Sequence, residues 1–229
     1  MTLSIVMPVL NEADGIEAAL RALAPLRGQN AEVIVVDGGS HDGTLELAYS
    51  LADRVVQARR GRASQMNAGA EIATGDILLF LHADTRLPEN ADDLVREGIQ
   101  RSGRVWGRFD VRIDGSKLLN LVGATMNWRS RLTGIATGDQ VLFVTREAFN
   151  AVGGFPPIAL MEDVAISRAL KRISRPLCLR AAVVTSGRRW QAHGTLTTIA
   201  LMWRLRFAYF LGADPAKLAR VYGYGPHQP

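Results

Sequence analysis

Apolar positions recur along the chain in two alternating rhythms. Residues 3–9, LSIVMPV, form a continuous apolar run, and residues 12–23 then place Ile16, Ala19, Leu20 and Leu23 on one helical face. That predicts a strand leading into a helix. The pattern repeats in "EVIVVDGGS", a buried strand ending at Asp37, after which Gly38, Gly39 and Gly43 turn the chain into a helix starting near Thr44. "RVVQA" predicts a short third strand, followed by the basic loop "ARRGR" and a helix over 63–73. "DILLFL" predicts a fourth strand. Strands that are apolar throughout and alternate with helices imply an α/β globule with a mostly parallel central sheet and helices on both faces. Ligands of such sheets sit beyond the carboxyl ends of the strands. Asn11 and Glu12, Asp37, and His82 with Asp84 follow the first, second and fourth strands, so they should converge on one crevice.

The second half is less regular. "VWGRFDVRI" alternates and predicts a longer, half-exposed strand, followed by a helix over 118–128. "TGDQVLFVTREAFNAVGGF" predicts a strand and a short helix. "MEDVAISRALKRI" predicts a helix with Glu162 and Asp163 in its first turn, where the helix dipole favours carboxylates. Residues 195–212 predict a last helix carrying Trp203, Phe207, Tyr209 and Phe210 beside Arg204 and Arg206. It is shorter and more charged than the roughly 20 apolar residues of a membrane span. It suits packing on the body of the protein, a homodimer contact or peripheral contact with a membrane interface, and packing or dimer contact is preferred. The chain is thus expected to divide into a ligand-binding half, 1–115, a catalytic half, 116–194, and a C-terminal helix and tail, 195–229.

Composition narrows the field. With 229 residues and 48% hydrophobic content, the chain supports one sizeable core. The net charge of +5 fits an anionic small ligand or a membrane surface, and its Lys and Arg lack the aromatic-interleaved clustering of a nucleic-acid binder. "ARRGR" reads first as a solvated loop. The single cysteine, Cys178, excludes an intramolecular disulfide, and none of the four histidines forms a His-Glu-x-x-His pair. The apolar N-terminal run lacks the basic start of a secretory signal, so a cytoplasmic protein is expected, with the inner membrane face as a peripheral location. The turn after the first strand, "PVLNEADG", holds no G-x-G-x-x-G, and the chain holds no Walker loop. A nucleotide here would need another source of positive charge, which a metal supplies.

"IVMPVLNE" at 5–12, "VIVVDGGSHDGT" at 33–44, "MNAGAEIATGDILLFLHADT" at 66–85 and "MEDVAISRAL" at 161–170 resemble, in order and spacing, the GT-A glycosyltransferases of family 2. "RRW" at 188–190 extends the resemblance to about four fifths of the chain. It implies a nucleotide-sugar donor site in which Pro8, Val9 and Glu12 contact the nucleoside and Asp37 accepts from the base edge. Asp37 equally suits a turn carboxylate, a role that Asp42 also fills. Arg62 and Asn67 fall where related enzymes approach base or ribose. "HAD", His82-Ala83-Asp84, stands where the family has Asp-x-Asp: Asp84 matches the carboxylate that binds Mn²⁺ or Mg²⁺ bridging the phosphates, and His82 replaces the other. Imidazole can hydrogen-bond to ribose or add a nitrogen ligand.

The same resemblance makes Asp163 the general base of an inverting transfer, with Glu162 raising its pKa or orienting the acceptor. Arg188 and Arg189 are placed to offset charge on the departing diphosphate. "RRW" matches the end of a Gln-x-x-Arg-Trp motif, but Ser186 replaces Gln, which weakens any reading as a processive synthase. "TGDQ", through Gly138, Asp139 and Gln140, together with Trp190, is a candidate acceptor wall, or else a simple turn. The expected reaction is transfer from a nucleotide sugar, a UDP sugar first, to an unidentified sugar, lipid or small-molecule acceptor. The rival readings are a sugar nucleotidyltransferase, whose Arg- and Lys-containing glycine loop "PVLNEADG" lacks, and a non-catalytic nucleotide-binding or membrane-peripheral adaptor.

Overall fold

A computed structural model describes residues 1–224, apart from the side chains of residues 189 and 193. The chain starts as the periodicity predicts: β1 (Leu3–Val9), α1 (Ala13–Ala22), a short α2 (Ala24–Arg27), β2 (Glu32–Asp37), α3 (Thr44–Tyr49), β3 (Arg54–Gln57), α4 (Arg62–Ile72) and β4 (Ile77–Phe80). These four strands pair in parallel. The chain then runs through β5 (Thr85–Arg86), α5 (Ala91–Ser102), β6 (Trp106–Ile113), α6 (Lys117–Thr133), a 3₁₀ turn (Gly138–Gln140), β7 (Leu142–Thr145), α7 (Arg146–Ala151), α8 (Glu162–Leu170), β8 (Leu177–Thr185), α9 (Arg188–His193), α10 (Thr195–Phe210) and α11 (Pro215–Tyr222).

All strands share one eight-stranded sheet in the order β3-β2-β1-β4-β7-β6-β8-β5. The sheet is parallel through β4 and mixed beyond it, because β7 runs antiparallel to both β4 and β6 while β8 is parallel to β6. Several of these elements lie outside the periodicity reading, α5 and β8 the longest of them. Helix α5 buries Ala91, Val95 and Ile99 at four-residue spacing. Strand β8 contains Arg180, Ala181 and Ala182, poor strand formers, and it holds its place through a register shift against β6 between Phe109 and Asp110. "TGDQ" forms a 3₁₀ turn ahead of β7, as its turn reading expects.

One core face gathers Ile5, Met7, Ile16, Leu20, Phe109 and Phe143, and the other gathers Val6, Ile34, Met66, Phe80, Trp106 and Phe155. Helix α4 lies close on the second face at Gly69, where a Cβ would collide with a methyl of Val6. That approach carries Gln65 to the carboxyl edge of the sheet. Its Nε2 donates to Val9 O and Val36 O, both at 2.8 Å, in a buried setting. The carbonyls would otherwise stand unpaired at a cost of roughly 1–3 kcal/mol each. A third cluster joins Leu160, Met161 and Val164 at the start of α8 to Leu205 of α10 and Leu218 of α11. The C-terminal helices are therefore docked on the start of α8, and α10 still leaves Trp203, Phe207 and Phe210 exposed. No helix among the described residues is long and apolar enough to cross a membrane.

Candidate active site

Of the strand-end residues expected to converge, Glu12, His82 and Asp84 share one cavity, while Asn11 and Asp37 do not line it. A cavity of about 510 Å³ lies beyond the carboxyl ends of β1 and β4, and its walls include Pro8, Val9, Glu12, Arg62, His82, Ala83, Asp84, Gly138, Asp139, Glu162, Asp163, Arg188 and Trp190. Strand β8 completes it. Thr85 pairs with Thr185, and Ser186 N donates to Asp84 O at 3.1 Å, so the turn into α9 is tied to the segment that carries Asp84. Arg188 then lies 3.6 Å from Glu12. Trp190 both lines the cavity and packs on the core. The side chain of Arg189 lies outside the described residues.

Three predicted ligands are placed elsewhere. Asp37 is fully buried, and its carboxylate accepts from Gly39 N and Ser40 N at 2.9 Å and from the Ser40 hydroxyl. It closes the turn after β2, while Asp42 anchors Thr44 and Ala13. Asn67 exchanges a pair of hydrogen bonds with the Phe155 backbone at 2.8 and 2.9 Å. Gln140 is buried, donates to Asn127 Oδ1 and accepts from Thr137 N. In each case a polar side chain that reads as a ligand instead satisfies nearby buried polar groups. Arg60 and Arg62 of the basic loop are exposed, as a solvated loop requires, and also line the cavity, Arg62 standing 5.7 Å over the Tyr224 ring.

Residues that the sequence reading did not single out also line the cavity, among them Gln65, Met161, Thr198 and Met202, and Arg206, read only as part of the last helix, joins them. Backbone strain was a signal hidden from the sequence. Asn11, Val141 and Met161 have φ values of 53°, 50° and 72°, and such conformations cost of order 1–3 kcal/mol for side-chain-bearing residues. Two of them immediately flank Glu12 and Glu162. Asn11 is held by Ser40 and His41, which fixes the entry into α1.

Asp163 Oδ2 accepts from Gly138 N at 3.0 Å, and Oδ1 accepts from Val164 N at 2.7 Å. Both bonds fix the carboxylate's orientation. A Cβ on Gly138 would stand 2.6 Å from His82 Cε1 and 2.9 Å from Nε2, so glycine is what lets the imidazole edge lie against the 3₁₀ turn. Burial, and secondarily the charge of Arg62, push the His82 pKa down to about 3. The ring is neutral at physiological pH and adds no charge to the site.

The carboxylates are crowded. Burial raises the Glu12 pKa, the Arg188 guanidinium opposes it, and the Asp84 carboxylate adds to it. Asp84 itself is exposed, with Thr85 Oγ1 at 3.3 Å. Among the described residues, no three His, Cys, Asp or Glu side chains cluster into a closed metal cage. A hard divalent ion bound mainly through phosphate oxygens and water needs fewer protein ligands. The repulsion between Glu12 and Asp84 is the kind that such an ion relieves. These residues fit an open, nucleotide-completed metal site, with Asp84 as its protein ligand; His82 turns its Nε2 edge to Gly138.

Burial and the adjacent Asp163 charge raise the Glu162 pKa to about 7, with Arg62 opposing. Because the folded value lies above the carboxylate's ordinary 4.5, Glu162 contributes stability that is complete below about pH 4.5 and is lost as pH rises through about 7. Replacing it with the uncharged Glu162→Gln should therefore stabilise the protein at pH 8 relative to wild type and leave the two alike near pH 4.5. Thermal unfolding across that range checks this, and parallel profiles would contradict it.

Residues 4–152 match the family described as "Glycosyl transferase family 2". A "PGL/p-HBAD biosynthesis glycosyltransferase" of Mycobacterium tuberculosis is 41% identical over 100 residues, 41% of this chain and 39% of that protein. The "Poly-beta-1,6-N-acetyl-D-glucosamine synthase" of Staphylococcus aureus is 26% identical over 183 residues, 72% of this chain and 44% of that one. The chain therefore spans about two fifths of the length of these relatives. Among solved structures, S. aureus TarS 1-349 in complex with UDP-GlcNAc matches at TM-score 0.68 and 19% identity, covering 81% of this chain and 58% of that one. A mannosyltransferase from Pyrobaculum calidifontis in complex with GDP-Man and Mn²⁺ matches at TM-score 0.64 and 21% identity, covering 97% and 69%. Glucosyl-3-phosphoglycerate synthase from M. tuberculosis, with Mn²⁺, UDP and glucosyl-3-phosphoglycerate, matches at 0.59 and 20%, covering 80% and 70%. Both the strand-end cavity and the family match lead to one assignment: the chain belongs to glycosyl transferase family 2, with the GT-A fold.

Proposed function

We propose that the protein transfers a sugar from a nucleotide-sugar donor, a UDP sugar first, to an acceptor hydroxyl with inversion. The observation that carries this reading is the placement of Asp84 and an anchored Asp163 carboxylate in one cavity. Pro8, Val9, Glu12 and Arg62 are the proposed contacts of the nucleoside, and Arg188 of the diphosphate. The TarS and glucosyl-3-phosphoglycerate synthase structures contain UDP-GlcNAc and UDP, which supports uridine as the base. A Mn²⁺ or Mg²⁺ ion on Asp84 supplies Lewis-acid neutralisation of the diphosphate when bound.

The chain's own residues account for the proton. Asp163 accepts it from the acceptor hydroxyl while that oxygen bonds to the anomeric carbon. The bond from that carbon to the phosphate oxygen breaks, and its electron pair leaves with the nucleoside diphosphate. Gly138 N and Val164 N keep the base from rotating away, the orientation on which such catalysis depends. Arg188 gives donors to the departing phosphate oxygens. Calorimetry with UDP and Mg²⁺ should show binding that Asp84→Ala weakens at least tenfold. Asp163→Asn should bind UDP as wild type does and lose sugar transfer by about 10²–10⁴-fold, the usual worth of a general base. Full turnover by Asp163→Asn would eliminate it as base.

The exposed Trp203, Phe207 and Phe210 on α10, 75%, 65% and 71% accessible, are proposed to rest on an anionic membrane surface with Arg204 beside them. Replacing Trp203→Ser and Phe207→Ser together should reduce sedimentation with phosphatidylglycerol vesicles at least fivefold. Unchanged sedimentation would end this reading, and concentration-dependent dimerisation lost in the same variant would assign the stripe to a second copy.

A further inference from the structure

A second, smaller chamber of about 200 Å³ lies between α6 and α10. Met161, Val164 and Arg206 line both it and the main cavity, so it adjoins the space around Asp163. Three arginines are among the residues that line the chamber: Arg129 from α6, Arg168 from α8 and Arg206 from α10. Arg129 Nη2 is buried and has no hydrogen-bond partner among the described residues. A buried charged donor without a partner carries a full desolvation penalty, which a bound anion removes.

The neighbouring charges point the same way. Burial, then Arg206 and Arg108, lower the Arg129 pKa to about 10, while Asp163 opposes. Burial also lowers that of Arg206, against Asp163 and Asp139. Arg108 is held by Asp110, and Arg168 rests over the rings of Tyr209 and Phe210 at 5.6 and 5.8 Å. Three cations therefore face two carboxylates, both on the main-cavity side.

We propose that the chamber binds a phosphate group of the acceptor, gripped by Arg129 and Arg206, so that a hydroxyl elsewhere on the acceptor reaches Asp163. The assignment rests on the transferase reading for its role and on the chamber alone for its ligand. Guanidinium forks match tetrahedral oxyanions with paired donors. The volume admits one such group with several waters, each occupying roughly 30 Å³. Binding energy gathered at a site remote from the reacting hydroxyl orients the acceptor, which is the use that catalysis makes of it. The phosphate can be that of a soluble phosphorylated acceptor or of a lipid headgroup, since Phe210 on α10 lines the chamber and is exposed.

Sulfate, a tetrahedral oxyanion, is the probe, titrated calorimetrically into the full chain already saturated with UDP and Mg²⁺ so that the donor phosphate site is filled. One-site binding should weaken at least tenfold in Arg129→Gln and be partly restored in Arg129→Lys, with UDP affinity unchanged throughout. No sulfate binding, or equal binding by wild type and Arg129→Gln, would overturn the proposal even where UDP binds normally. Failure of UDP to bind would strike the donor reading instead, and the same Arg129 comparison on the nucleotide-free chain would still decide the chamber. Arg129-dependent sedimentation with phosphatidylglycerol but not phosphatidylcholine vesicles would identify the lipid source. Arg129-dependent sulfate binding without vesicle binding would identify the soluble one.

Discussion

Gly138 carries two contacts that hold the site together: its amide donates to Asp163 at 3.0 Å, and its bare Cα admits the edge of the His82 ring. His82 follows β4, Gly138 lies before β7, and Asp163 lies in the first turn of α8, so one residue links the end of the parallel half to α8. Any side chain there would collide with the His82 ring. The neutral imidazole suits this contact, because a charged ring beside Arg62 would repel it. The departure from Asp-x-Asp thus has a structural correlate: the residue at the first position packs against the turn that orients Asp163.

Around that junction the sheet supplies precision and the loops supply chemistry. Gln65 ties the last carbonyls of β1 and β2, and the pairing of β5 with β8 brings Ser186 and Arg188 to Asp84 and Glu12. Strained backbone at Asn11 and Met161 sits at the entry of both carboxylate-bearing helices. The surrounding hydrogen bonds and the third core cluster offset that strain. The C-terminal helices are part of the same device. Leu205 and Leu218 pack on the start of α8, and Thr198, Met202 and Arg206 then complete the cavity wall.

The parallel half was legible because strands buried on both faces must be apolar throughout, and because polar residues at their carboxyl ends have no structural partner in the sheet itself. The mixed half was less so. Strand β8 carries Arg180 and Ala182 on exposed positions, and only its partners define it as a strand. Asp37, Asn67 and Gln140 show the limit of reading ligands from residue type. A carboxylate or amide that can bind a nucleotide can equally close a turn or tie a helix to a distant backbone, and the sequence does not show which partner it meets. Arg129 and Arg206 were hidden for a different reason. Each lies on a helix whose exposed face is unusually apolar, and only the approach of α6 and α10 turns two ordinary arginines into one cationic chamber.

The account holds that the strand-end cavity is a donor site in which Asp84 meets the metal and diphosphate. Anomalous diffraction at the manganese edge, from crystals grown with UDP and Mn²⁺, tests this most directly. A manganese peak bonded to the Asp84 carboxylate and to both phosphates, with the nucleoside along Pro8, Val9 and Glu12, is the predicted result. UDP bound outside this cavity, or manganese bound away from Asp84, would contradict it.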